Sequence, residues 1–133
     1  MRRTSSTALA SAAVLFLMAA GCGGSSNKNP TGPGGGGAAD VTISILSGSM
    51  NAGPNAYSPD TATVQAGQTV KWVNNDAMTH TATPDVSGSF TNTGNITGGN
   101  SSAVITISGA TGVRAYHCAI AGHNMQGWIK VTP

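Results

Sequence analysis

Charge is scarce in this 133-residue chain: Asp, Glu, Lys and Arg together make up 8 % of it. The formal charge of +2 is carried by Arg2 and Arg3 at the start. Beyond them Lys28, Lys71, Arg114 and Lys130 balance Asp40, Asp60, Asp76 and Asp85. A balance near zero with no cluster of one sign excludes a nucleic-acid surface and a patch for anionic lipid. No window carries the 3.6-residue period of an amphipathic helix, which excludes a helical bundle. No apolar run reaches the roughly 20 residues of a membrane-spanning helix. Cysteine occurs twice, at Cys22 and Cys118, so at most one disulfide is available.

The beginning of the chain has the marks of an address. Arg2 and Arg3 precede an apolar run from Ala8 to Ala20, and Ala19-Ala20-Gly21-Cys22 ends it in small residues and a cysteine. This pattern predicts a bacterial lipoprotein signal over residues 1–21, with Cys22 as the lipidated residue, although lipoboxes usually carry leucine where Ala19 stands. Residues 22–39 are rich in Gly, Ser and Pro and are read as a flexible tether. Its 17 residues from Gly23 to Ala39 span on the order of 20–25 Å as a coil. The protein is therefore expected to be exported and anchored by lipid to the cell membrane or outer membrane, facing the periplasm or exterior. Gly23, in place of the aspartate that commonly retains lipoproteins at the inner membrane, favours the outer one. With Cys22 acylated, Cys118 is left as a lone thiol in an oxidising compartment, and ligation of a metal is the simplest way to occupy it.

Residues 40–133 are expected to form one domain. Val41, Ile43 and Ile45 alternate with polar residues, as do Ala62 and Val64, Val70 and Trp72, and Ala103, Ile105 and Ile107. Val113 to Cys118 and Trp128 to Val131 complete the set, with Asn74-Asn75-Asp76, Ala66-Gly67-Gln68 and Gly109 to Gly112 as breaks. Short strands at this spacing predict an all-β fold, an antiparallel Greek-key sandwich or barrel. Tyr116, Trp72 and Trp128 are read as core aromatics. Alternation places Tyr116 and Cys118 on the inner face and turns His117 outward.

His80, Cys118, His123 and Met125 combine two imidazoles, a thiolate and a thioether. Copper held by two imidazoles and one thiolate, with a weak axial thioether, is an electron-transfer centre. Three of these residues lie in one loop, Tyr116-His117-Cys118-Ala119-Ile120-Ala121-Gly122-His123-Asn124-Met125-Gln126-Gly127, and His80 stands 38 residues before the cysteine.

With these residues placed, the chain resembles the cupredoxins, the blue-copper proteins that include plastocyanin, amicyanin and azurin. Thr63 to Asp76 looks like that family's approach to its first histidine, and Met78-Thr79-His80-Thr81-Ala82-Thr83 like the histidine strand itself. The resemblance implies one type 1 copper per chain, held by His80, Cys118 and His123 with Met125 as the distant axial group. It also implies a backbone N–H of Thr81 donated to the cysteine sulfur. The loop departs from the family in leaving a single residue between His123 and Met125. A tight turn at His123-Asn124 would be needed to bring both to copper, and Gln126, whose amide oxygen also serves as an axial ligand, is the alternative to Met125.

The function implied is the shuttling of single electrons between extracytoplasmic redox partners, met transiently by a monomer, with no catalytic residues. A copper carrier or storage protein is the alternative, and a metal-free surface sandwich a more distant one. An enzyme with a second copper beside His117 is disfavoured, because the chain has three histidines and two are committed to the first ion.

Overall fold

The alternating segments fold as strands in a computed structural model that describes residues 38–133. The predicted signal, Cys22 and most of the tether lie outside the described residues. The strands are β1 (Val41–Ile45), β2 (Tyr57–Ser58), β3 (Thr61–Gln65), β4 (Thr69–Asn74), β5 (Thr83–Pro84), β6 (Ile105–Thr106), β7 (Gly112–His117) and β8 (Gln126–Thr132). One turn of 3-10 helix, Ser49–Asn51, follows β1, and no α-helix occurs among the described residues.

Two four-stranded sheets result, ordered β2-β1-β4-β6 and β3-β8-β7-β5. Both are mixed. β1 runs parallel to β4, with Ile43 opposite Trp72, and β3 runs parallel to β8, with Val64 opposite Val131. The remaining strand pairs are antiparallel. This corrects the wholly antiparallel pairing read from the sequence: period-2 alternation says which face a residue takes and nothing about strand direction.

The inward faces share one core. Ile43, Ile45, Val70 and Trp72 come from the first sheet, and Val64, Tyr116, Ile129 and Val131 from the second. Tyr116 joins the two layers, its ring edge-on to Tyr57 at 4.9 Å and to Trp72 at 5.6 Å between centroids. Edge-to-face pairs of this kind add about 0.5–1.5 kcal/mol each beyond their buried area. Across the β7–β8 pair Tyr116 faces Gly127, where a Cβ would lie 2.4 Å from the tyrosine ring, so only glycine fits.

Three expectations change in detail. Trp128 is half-buried on the outer side of β8, between the inward-facing Gly127 and Ile129, and is not a core residue. The strand expected over Ala103 to Ile107 is reduced to β6. Ahead of it Ser102 Oγ accepts the Trp72 N–H at 2.9 Å and its own N–H goes to Trp72 O at 2.8 Å, a side-chain bond in place of a regular ladder. The segment around His80 is not a strand either. His80 makes a single bridge to Ile96, through N–H···O bonds of 3.0 and 2.8 Å, so the polar stretch from Ser87 to Asn100 returns to support it.

Candidate metal centre

Cys118 follows directly on β7 and continues its alternation, so Tyr116 and Cys118 are both buried while His117 faces outward. His117 is 43 % exposed, and its Nδ1 meets Asp85 Oδ1 at 2.5 Å. It is separated from the buried cluster by the direction of its own strand.

The loop after Cys118 turns back within a few residues. His123 N–H donates to Ile120 O at 3.1 Å, with Gly122 between them at φ 83°, a left-handed conformation that glycine adopts without strain. The turn therefore falls before His123, not at His123-Asn124. Asn124 is then tied on both sides, its N–H to Met50 O at 2.7 Å and its O accepting from Gly53 N–H at 2.8 Å. Cys118 N–H reaches Met125 O at 3.3 Å and closes the loop.

This folding brings His80, Cys118 and His123 together, with one donor atom of each lying within 4.8 Å of the others. Cys118 Sγ is 3.9 Å from His80 Nδ1 and 3.4 Å from His123 Nδ1. Metal–sulfur and metal–nitrogen bonds of about 2.3 and 2.0 Å at trigonal angles place such atoms about 3.7 Å apart. The cluster fits an ion of this size with little adjustment. His80 is fully buried and Cys118 4 % exposed, whereas His123 is partly exposed. Thr81 N–H lies 3.4 Å from the sulfur, and Thr81 Oγ1 accepts the N–H of Ala119 at 2.8 Å, pinning the residue after the cysteine. Tyr57 O–H donates to Thr81 O at 2.7 Å and so fixes the same residue from the core side.

Met125 is buried and Gln126 exposed, as successive residues at the start of a strand must be. Ser49 Oγ stands 4.0 Å from Met125 Sδ and 3.5 Å from His80 Nε2, so both side chains neighbour the same hydroxyl.

Two polar residues that the sequence marks only as turn formers belong to the centre. Asp76 is 8 % exposed, and its Oδ2 lies 2.8 Å from His80 Nε2. A carboxylate only accepts, so this contact calls for a proton on Nε2, and in the neutral ring that tautomer leaves Nδ1 with the lone pair. The hydrogen bond from His80 is the main cause holding the Asp76 carboxyl down at about 2; burial opposes it, and backbone N–H groups of Gly48 and Ala77 assist. Asn74, fully buried, donates from Nδ2 to Met78 O and Ile96 O at 2.7 and 2.8 Å and accepts Asp76 N–H at 2.9 Å. A carboxylate four residues before a histidine, in a chain with four acidic residues, was the available signal. Ser49 had none. Burial also pushes the Tyr57 and Tyr116 phenols well above the ordinary tyrosine range, so both are neutral beside the centre.

The chain has the cupredoxin fold, and its donor set fits one copper ion of the type 1 kind. Among solved structures it is similar to a purple cupredoxin from Nitrosopumilus maritimus, with a TM-score of 0.57 and 23 % identity over 70 % of this chain and 100 % of that one. A reduced, Cu(I) form of an amicyanin variant matches with a TM-score of 0.53 and 22 % identity, over 69 % of this chain and 81 % of that one. A copper-containing nitrite reductase from Thermus scotoductus matches with a TM-score of 0.54 and 25 % identity over 70 % of this chain, which corresponds to 22 % of the enzyme. No protein-family model and no curated protein matches the sequence.

Proposed function

We propose that the protein is a type 1 copper electron carrier, with His80 Nδ1, Cys118 Sγ and His123 Nδ1 as the ligands and Met125 Sδ as the axial group. The observation that carries this reading is the gathering of two imidazole nitrogens and the lone described thiol within 4.8 Å of one another, with His80 and Cys118 buried and His123 partly exposed. Copper bound there supplies one-electron exchange between Cu(I) and Cu(II). The protein's part is to keep the donor atoms in place through that exchange. Thr81 N–H moderates the charge on the sulfur, and the buried fold around His80 limits rearrangement.

His123 offers the exit for the electron, since it is the ligand that reaches the surface, flanked by Ala119, Ile120, Ala121 and Gly122. An uncharged rim of this composition suits brief, weak docking to another redox protein. The rest of the reading comes from the sequence: an exported monomer, lipidated at Cys22 and held near a membrane by its tether. Changing Cys22 to Ser should move the protein from the membrane fraction to the soluble one; persistence in the membrane fraction would refute the anchor.

The copper reading is tested by adding Cu(II) to the purified protein. An intense blue, purple or green thiolate charge-transfer band is expected at one ion per chain, and Cys118→Ser should abolish the colour while the far-ultraviolet circular dichroism of the sandwich persists. A wild-type protein that folds and takes up no copper would overturn the assignment.

A further inference from the structure

His80 is wholly buried, so the orientation of its ring falls to the protein groups around its second nitrogen. Asp76 Oδ2 takes that role at 2.8 Å. The carboxylate is held in turn: Oδ1 accepts Ala77 N–H at 2.7 Å, and Asp76 N–H donates to Asn74 Oδ1 at 2.9 Å. Asn74 also binds Ile96 O, and Ile96 pairs with the backbone of His80, so the hydrogen bonds form a closed ring. Ser49 Oγ also lies 3.5 Å from the same Nε2.

An anion fixed across one imidazole ring from a metal ion has two effects. It sets the tautomer, because only the form with the proton on Nε2 satisfies the carboxylate, and this leaves Nδ1 as the free donor. It also attracts a doubly charged ion more strongly than a singly charged one, and the buried setting leaves that attraction little screened.

We propose that Asp76 is a positioning residue that locks His80 in the Nδ1-donor tautomer and, through its buried negative charge, favours Cu(II) over Cu(I) and lowers the reduction potential of the centre. The inference rests on the copper reading above, and it describes a carrier suited to passing electrons on rather than to drawing them from weak donors.

Asp76→Asn and Asp76→Ala separate the two effects. The asparagine amide oxygen still accepts from Nε2 but carries no charge; alanine removes both. Nitrogen-15 NMR of the metal-free proteins should show His80 protonated on Nε2 in the wild type and in Asp76→Asn, and a mixture of tautomers in Asp76→Ala. After copper loading, Asp76→Asn should have a higher potential than the wild type. Its Cu(II) affinity should fall about 10–100-fold, with a smaller change for Cu(I). An unmoved potential, or equal weakening of both oxidation states, would mean that Asp76 merely holds the turn, and the redox claim falls. A wild-type His80 that is protonated on Nδ1 sinks the tautomer claim. Failure of the wild type to take up copper overturns the copper reading and with it the redox claim, while the metal-free spectra still decide the tautomer.

Discussion

Met125 and Gln126 are adjacent, both carry atoms able to reach a metal axially, and one residue's step along an extended backbone separates their fates. Met125 enters the core beside Ser49, while Gln126 faces solvent opposite His117. Met125→Ala is accordingly expected to shift the copper charge-transfer bands, and Gln126→Ala to leave them in place; the reverse pattern would reassign the axial group. Tyr57 shows a different kind of control. Its phenol, raised far above the ordinary range chiefly by burial, is neutral in the fold but ionises near pH 10 in the unfolded chain. A group whose pKa is raised by folding contributes stability below its unfolded pKa and loses it as pH rises further. The urea midpoint of the metal-free protein should fall above about pH 10, and fall less steeply in Tyr57→Phe. That variant begins lower, since Thr81 O loses its donor at a cost of about 1–3 kcal/mol.

At the scale of elements, the centre is built where β7 ends and β8 begins, with a turn between them that the core itself constrains. Tyr116 closely approaches Gly127, its cross-strand partner, and this approach fixes the register of the two strands that carry the ligand loop. A methyl group at position 127 would overlap the tyrosine ring. Gly127→Ala should cost about 1–3 kcal/mol through overpacking, which for a domain of this size lowers Tm by roughly 4–8 °C per kcal/mol; an unchanged melting curve would show that the ring can move aside. The segment around His80 illustrates the opposite strategy. No ladder holds that segment, so Asn74, Asp76 and Ile96 replace it with side-chain and bridge hydrogen bonds.

For the whole molecule the governing quantity is how little charge it carries. Among residues 40–133 three cations face four aspartates, one of which, Asp76, is turned inward against His80. Long-range attraction cannot then do much to guide a partner. Transfer rates to an isolated redox partner should change only slightly between low and physiological ionic strength, and a steep loss of rate with salt would require a charged docking face that this surface does not display.

Composition and period were enough to determine the all-β class, the face on which Ile43, Val64, Val70 and Tyr116 lie, and the outward turn of His117, because alternation is a local property written in neighbouring residues. The kinds of donor atom and their order were equally plain. What only the tertiary structure decided depends on distances between segments remote in sequence: the parallel pairing of β1 with β4 and β3 with β8, the approach of Ser49 to the buried Met125, and the recruitment of Asp76 and Ser49 to the ring of His80. Hydrophobic pattern is indifferent to strand direction, and an aspartate in a turn looks the same whether it faces water or a buried imidazole, so these outcomes had no local signature to read.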